Sequence, residues 1–241
     1  DAAAWHPDVT LYESIDRATE RPVATFYADL FPREGKFGHA AAFSIRYGMA
    51  TPDGYRMPVA AIVANLTKPT ATAPSLLKHS EVLTLFHEFG HILHFCLTTV
   101  SEARFSGYDT EWDFVEAPSQ IMENWTWEPE VPRRFARHHE TGEPIPADLV
   151  GRLVAVRDLN VGLHMMRQVS FGKLDLGMHA VDHEVDLMDV YREAYAYSRL
   201  PFREDTFMPA SFGHLLGGYD AGYYGYLWAE VYGDDMFSEF S

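Results

Sequence analysis

The sequence predicts a mainly α chain of the α+β class, with a small, mainly antiparallel sheet near its start and a helical remainder. Aromatic and β-branched stretches gather in residues 21–66, segments with helical apolar spacing fill residues 80–241, and proline-rich breaks separate the two. A chain of 241 residues with 47% hydrophobic and 14% aromatic side chains can bury a substantial core and does not have the composition of a disordered segment.

Within 21–66, PVATFYADLF, HAAAFSIRYG and PVAAIVANL read as strands, the last mostly buried. The turn segments REGK and TPDG separate them, so hairpin connections are expected. KPT and AP, within 68–74, end the sheet and prepare the start of a helix. Ser80 and Glu81 open SEVLTLFHEFGHILHFCL, which is apolar around nearly its whole helical circumference. Such a helix belongs in a core, so its histidines and glutamate stand in the interior or on a cleft wall.

Residues 101–115 are rich in Gly, Ser, Asp and aromatic side chains and read as a packed loop. Pro118 fits the first turn of a helix through SQIMENWTW, which Pro129 and Pro132 limit. PADLVGRLVAVRDLNVGLHMMRQVSFGKLDLGMH is one long helix or a helix pair, with Asp148 near its amino end, and another helix spans 184–199. SFGHLLGGYDAGYYGYLWAEVYGDDMF is a glycine-rich loop leading into an aromatic helix. No internal repeat or low-complexity segment is present.

With 35 acidic and 19 basic residues the formal charge is -16, which repels a phosphate backbone, so nucleic acid is not an expected partner. Cys96 is the only cysteine, which rules out an intrachain disulfide and fits an intracellular, cytoplasmic protein. No apolar run approaches the roughly 20 residues that cross a bilayer. The opening DAAAWHPDV is not a signal peptide, and no membrane partner is expected.

His87 and His91 stand four apart in HEFGH, so on a helix both imidazoles project from one face, about one turn apart. Two nitrogens at that spacing can grip one zinc ion, with Glu88 one position round to serve as the base for its water. A third histidine in the metzincin manner is excluded, because His94 and Leu97 occupy the positions that would need glycine and histidine. A glutamate from a following helix is the other common solution. Glu116 lies 25 residues after His91 and shares a helix face with Gln120 and Glu123. Glu116 is the leading third ligand, and Glu102 and Glu111 are rivals. Glu123 either holds an imidazole N–H from behind or is an ordinary surface residue. His94 lies on roughly the same face as the motif histidines and is either a fourth ligand or a core histidine.

Taken together, FYADLFPREGKFGHAA, KPTATAPSLLKHSEV, LFHEFGHILH, DFVEAPSQIMENW and MPASFGHLLGGYDAGYYGYLWAEVY resemble the thimet oligopeptidase and neurolysin family of zinc peptidases over nearly the whole chain. The resemblance implies a zincin-like catalytic region with one Zn(2+) per chain on His87, His91 and Glu116, and Glu88 as general base. It implies that His214 stands beside the scissile bond and that Tyr226 hydrogen-bonds the oxyanion. By the same resemblance Tyr219 and Tyr223 line the cleft. From the residues alone, Tyr223 and Tyr226 read as packing. The pair Gly217 and Gly218 permits unusual backbone conformations, either for a mobile loop closing on substrate or for a tight turn.

Family members are much longer, so residues 1–241 are expected to be a catalytic domain incomplete at both ends, with missing segments of the same enzyme as possible partners. The implied reaction is endopeptidase cleavage of short unstructured oligopeptides. The alternatives are release of carboxy-terminal dipeptides, for which the sequence identifies no group to grip the free carboxylate, or binding of metal or peptide without catalysis. A sheet edge within 37–47 or 59–66 is expected to align the peptide backbone.

Overall fold

A computed structural model describes residues 4–240, so the extreme ends of the expected 1–241 unit lie outside the described residues. Six strands come first: β1 (Thr10–Asp16), β2 (Arg21–Asp29), β3 (Ala41–Arg46), β4 (Met49–Thr51), β5 (Gly54–Arg56) and β6 (Val59–Val63). The main sheet has the order β1-β2-β6-β3, and β4 and β5 form a separate two-stranded sheet. β1 and β3 run antiparallel to their neighbours, whereas β2 and β6 are parallel, with Phe26 opposite Ala60.

The sheet departs from the sequence expectation in two ways. It starts at Thr10, before the expected span, on a strand whose outer residues are mostly exposed and whose apolar signal is correspondingly weak. The REGK turn also does not close a hairpin, because β6 inserts between β2 and β3. The reason is burial: Ala60, Ala61 and Ile62 of β6 are all buried, and only a central strand covers consecutive side chains on both faces. β3, with Phe43 and Ile45 exposed, takes the edge. Of the two segments expected to offer an edge to a peptide, 59–66 is therefore corrected: β6 is paired on both sides, and β3 alone retains the free edge. TPDG does close the β4–β5 hairpin, where Thr51 faces Gly54.

α1 (His79–Cys96) packs across this sheet, with Ile92, Phe95 and Cys96 against Ala24, Ala60 and Ile62. The strand alanines let the helix axis come close, and the apolar side chains fill the gap. Glu81 fixes the helix start by accepting the Lys78 N–H at 2.8 Å. After the packed loop comes α2 (Ala117–Asn124), with Pro118 in its first turn, continued by a 3₁₀ turn at Trp125–Trp127. Pro129 then precedes a short α3 (Glu130–Phe135).

The long apolar segment is a helix pair, α4 (Ala147–Ala155) and α5 (Val161–His179), broken where Asn160 adopts φ 63°. α6 (Leu187–Tyr195) opens on Asp186, whose carboxylate accepts the amides of Met188 and Asp189. α7 (Met208–Ser211), a 3₁₀ turn at Gly213–Leu216 and α8 (Gly225–Ser238) follow among the described residues. Leu174, Tyr191, Ala194 and Leu215 form a second core joining α5, α6 and the 3₁₀ turn. Among the described residues no helix is long and apolar enough to cross a membrane.

Candidate metal centre and cleft

α1 carries His87 and His91 toward α2, and the approach of the two helices depends on Gly90. A Cβ there would stand 2.5 Å from the Pro118 carbonyl oxygen and 2.6 Å from Ser119 Cα. Because no side chain intervenes, the start of α2 sits directly on α1 and Glu116 reaches the imidazoles. Glu116 Oε2 is 3.3 Å from His87 Nε2 and 3.1 Å from His91 Nε2. Among the described residues these three side chains form the one group of His, Cys, Asp and Glu able to share a metal ion, with ligand atoms within 4.8 Å of one another. Glu102 and Glu111, the rival ligands, are exposed and outside the group. His94 is also outside it, and its Nδ1 is buried without a partner.

The surroundings fit a cation. Glu123 Oε1 accepts from His87 Nδ1 at 2.7 Å, which orients the ring with Nε2 toward Glu116. Burial disfavours charge on His87, but Glu116 and Glu123 outweigh it and push the imidazole up to about 10. Burial likewise works against the Glu116 carboxylate, yet hydrogen bonds from His87 and His91 hold it well below the usual range. Two imidazole nitrogens and one carboxylate oxygen, all turned inward within a field that favours positive charge, are a donor set suited to zinc. Ser119 Oγ donates to Glu116 Oε2 at 2.8 Å, and the Tyr219 hydroxyl donates to Oε1, so the ligand carboxylate is held at both oxygens.

Glu88 is 6% exposed, and burial, partly offset by His87 and His91, raises its pKa. It opens onto a cleft of about 1410 Å³ bounded by β3, α1, the 101–115 loop and the segment after α7. His214, Gly217, Tyr219 and Tyr226 also line this cleft. His214 is half-buried, its pKa lowered chiefly by burial. Its ring centroid lies 5.5 Å from that of Tyr219 and 5.8 Å from that of Tyr226. Burial, then the Glu116 charge, keeps the Tyr226 phenol far above its ordinary value.

Tyr223 does not line the cleft: it is buried, and its hydroxyl donates to Gln168 Oε1 at 2.9 Å. Burial pushes its phenol up to about 12. Gly218 has φ 107°, and a Cβ on Gly217 would lie 2.6 Å from the Gly213 carbonyl oxygen, so this turn requires both glycines. Sequence reasoning missed Ser119, although its place three residues after Glu116 is a signal for a side chain reaching back. It also missed Arg104, a cleft-lining residue, and Asp175, neither of which carries a local signal.

This geometry is of the class of candidate zinc sites in which an HExxH helix is completed by a glutamate from a following helix. Comparison with known proteins narrows the class: the profile of peptidase family M3 matches residues 1–241, and the chain belongs to that family. It is 42% identical to the thimet-like oligopeptidase of Dictyostelium discoideum, over 98% of this chain and 36% of that protein. It is 40% identical to oligopeptidase A of Escherichia coli, over 100% of this chain and 36% of the relative. The dipeptidyl carboxypeptidase of Salmonella typhimurium is 36% identical, again over 100% of this chain and 36% of its own length. The chain thus spans about a third of the length of these relatives.

Proposed function

We propose that this chain carries the catalytic centre of a zinc-dependent endopeptidase that hydrolyses peptide bonds in short, unstructured oligopeptides. The observation that carries the reading is the convergence of His87, His91 and Glu116 beside buried Glu88 at the wall of an open cleft. Zinc, when bound, supplies acidification of a water molecule and polarisation of the scissile carbonyl. Glu88 takes the proton of the attacking water and returns it to the departing amine, a task to which its raised pKa is suited. Tyr226, kept protonated, and neutral His214 donate hydrogen bonds where negative charge develops.

Tyr219 steadies Glu116 from the substrate side, and Tyr223 packs behind the rings of His214 and Tyr226. Gly217 and Gly218 shape the loop that faces substrate. The free edge of β3 aligns the peptide backbone by strand addition. In the zinc-loaded protein, Glu88→Gln should retain stoichiometric zinc and lose about 10²–10⁴-fold in turnover of a quenched short peptide. Full activity in that variant refutes the assigned base. Stoichiometric zinc without cleavage in the unsubstituted protein identifies a binding unit instead.

A second reading, release of carboxy-terminal dipeptides, is favoured by Arg104. It is the only Lys or Arg lining the cleft, and among the described residues it has no carboxylate within ion-pair distance. A free carboxylate is the natural partner for such a guanidinium. Peptides with free and amidated ends separate the two: strict dependence on the free end selects dipeptide release. We place the protein in the cytoplasm without nucleic acid as a partner, consistent with the -16 charge. Of two Arabidopsis thaliana relatives, one is described as probable cytosolic and the other as chloroplastic/mitochondrial, so cell fractionation is the test of location.

A further inference from the structure

Asp175 of α5 is a carboxylate with 0% exposure, more than 40 residues from the loop it holds. Its Oδ1 accepts the backbone N–H of Ala221 at 2.9 Å, and its Oδ2 accepts that of Tyr223 at 2.9 Å. His179, one helical turn on, donates from Nδ1 to Oδ1 at 2.8 Å. Three N–H groups therefore converge on one buried carboxylate, and charged acceptors make such bonds stronger than neutral ones. Burying an ionised group without them would be strongly unfavourable.

The two amides lie in the segment that carries Tyr219 and Tyr226. Ala221 adopts φ 58°, a left-handed conformation that is unfavourable for a residue with a Cβ and must be held from outside. The turn around it is closed by the Gly222 N–H donating to the Tyr219 carbonyl at 2.9 Å. The next turn is closed by the Tyr226 N–H donating to the Tyr223 carbonyl at 3.2 Å. From the opposite side Gln120 of α2 donates to the Tyr226 carbonyl at 3.0 Å. Asp175 thus fixes the backbone on which the Tyr219 hydroxyl meets Glu116 and the Tyr226 phenol faces the cleft.

We propose that Asp175, oriented by His179, is a positioning residue that sets where the Tyr219 and Tyr226 phenols stand relative to the metal ligands, and that it acts on turnover through Tyr226. The proposal rests on the peptidase reading above. Asn at this position keeps one acceptor oxygen and presents an N–H₂ group to an amide that is itself a donor, so one of the two backbone bonds is lost and the loop shifts.

The experiment is Asp175→Asn in the zinc-loaded protein, alone and combined with Tyr226→Phe, with kcat, KM, zinc content and melting temperature measured on each. The expected result is a fall in kcat of about 10²-fold, the scale of an ångström's misplacement, with KM and zinc stoichiometry unchanged. In the Tyr226→Phe background the same substitution should cause little further loss, because both act on one interaction. Multiplicative losses in the double variant, a rise in KM that accounts for the whole effect, or wild-type kcat would each overturn the proposal.

Should Asp175→Asn fail to fold, His179→Ala leaves both amide bonds but frees the carboxylate to rotate. It must then give the same kcat-specific loss on a smaller scale, and unchanged kcat overturns the proposal. Failure of the peptidase reading looks different: the unsubstituted protein would hold stoichiometric zinc and cleave no peptide. With Glu88→Gln inactive and Asp175→Asn fully active, only the positioning role is lost.

Discussion

Gly90→Ala tests the dependence of the metal centre on the contact between α1 and α2. The added methyl would lie 2.5 Å from the Pro118 oxygen and 2.6 Å from Ser119 Cα, whereas ordinary contact begins at 3.4 Å, so the helices must separate by about 0.8–0.9 Å. Both obstacles are backbone and cannot rotate away. Metal–ligand distances tolerate only about ±0.2 Å, so Glu116 would be carried out of reach of an ion held by His87 and His91. Zinc affinity should fall by at least the roughly 10–100-fold seen when only the groups that orient ligands are removed.

For stability, overpacking costs about 1–3 kcal/mol, and the helical preference of Ala over Gly returns about 1. A net loss of up to about 2 kcal/mol lowers Tm by as much as roughly 8 °C in a chain of this size. Gly151→Ala in α4, where a Cβ meets nothing within 4 Å, isolates the propensity term and should leave zinc binding unchanged. Competition with a chelator and thermal melting read both quantities. A Gly90→Ala protein with wild-type zinc affinity and an equal or higher Tm refutes the close approach as the device that delivers Glu116.

Three further outcomes are expected. Glu123→Ala removes the acceptor of His87 Nδ1 and should weaken zinc by on the order of 10–100-fold, measured by chelator competition, with no change in the fold by circular dichroism. Prolonged chelation should lower Tm, because zinc ties α1 to α2 and binds the folded chain in preference to the unfolded one; unchanged melting rules out that coupling. Asp29 is buried at the end of β2, and despite burial its carboxylate is held far below the usual range by hydrogen bonds from Arg33, Lys36 and Trp5. Its stabilisation is therefore complete above the ordinary carboxylate pKa of about 4 and is lost as pH falls toward the depressed folded value. Asp29→Asn should cost about 3–5 kcal/mol at neutral pH and flatten the acid limb of the Tm–pH curve; an unaltered acid limb counts against this.

Local periodicity made part of this protein legible in advance. HEFGH puts two imidazoles on one helix face whatever the rest of the chain does, because a spacing of four is one turn, and the apolar circumference of the same helix announces its burial. Pro118 marks the start of α2 for an equally local reason, its fixed φ and missing N–H. Helical spacing already made Glu116 the leading third ligand, but the contact that delivers it to the imidazoles lay outside such rules, as did the insertion of β6 between β2 and β3. Each depends on which surfaces meet: Gly90 under Pro118 in one case, burial of a strand on both faces in the other. Tyr223 and Tyr226 stand three apart in one aromatic run, yet one is buried against Phe171 and the other lines the cleft. The carboxylate that orients that run comes from α5, a separation across which no periodicity extends. The sequence by itself determined the chemistry available on α1, because the groups are neighbours on one turn. Tertiary structure alone decided how Glu116 is delivered to that chemistry and that Asp175 of α5 holds its aromatic side, because packing brings distant segments together.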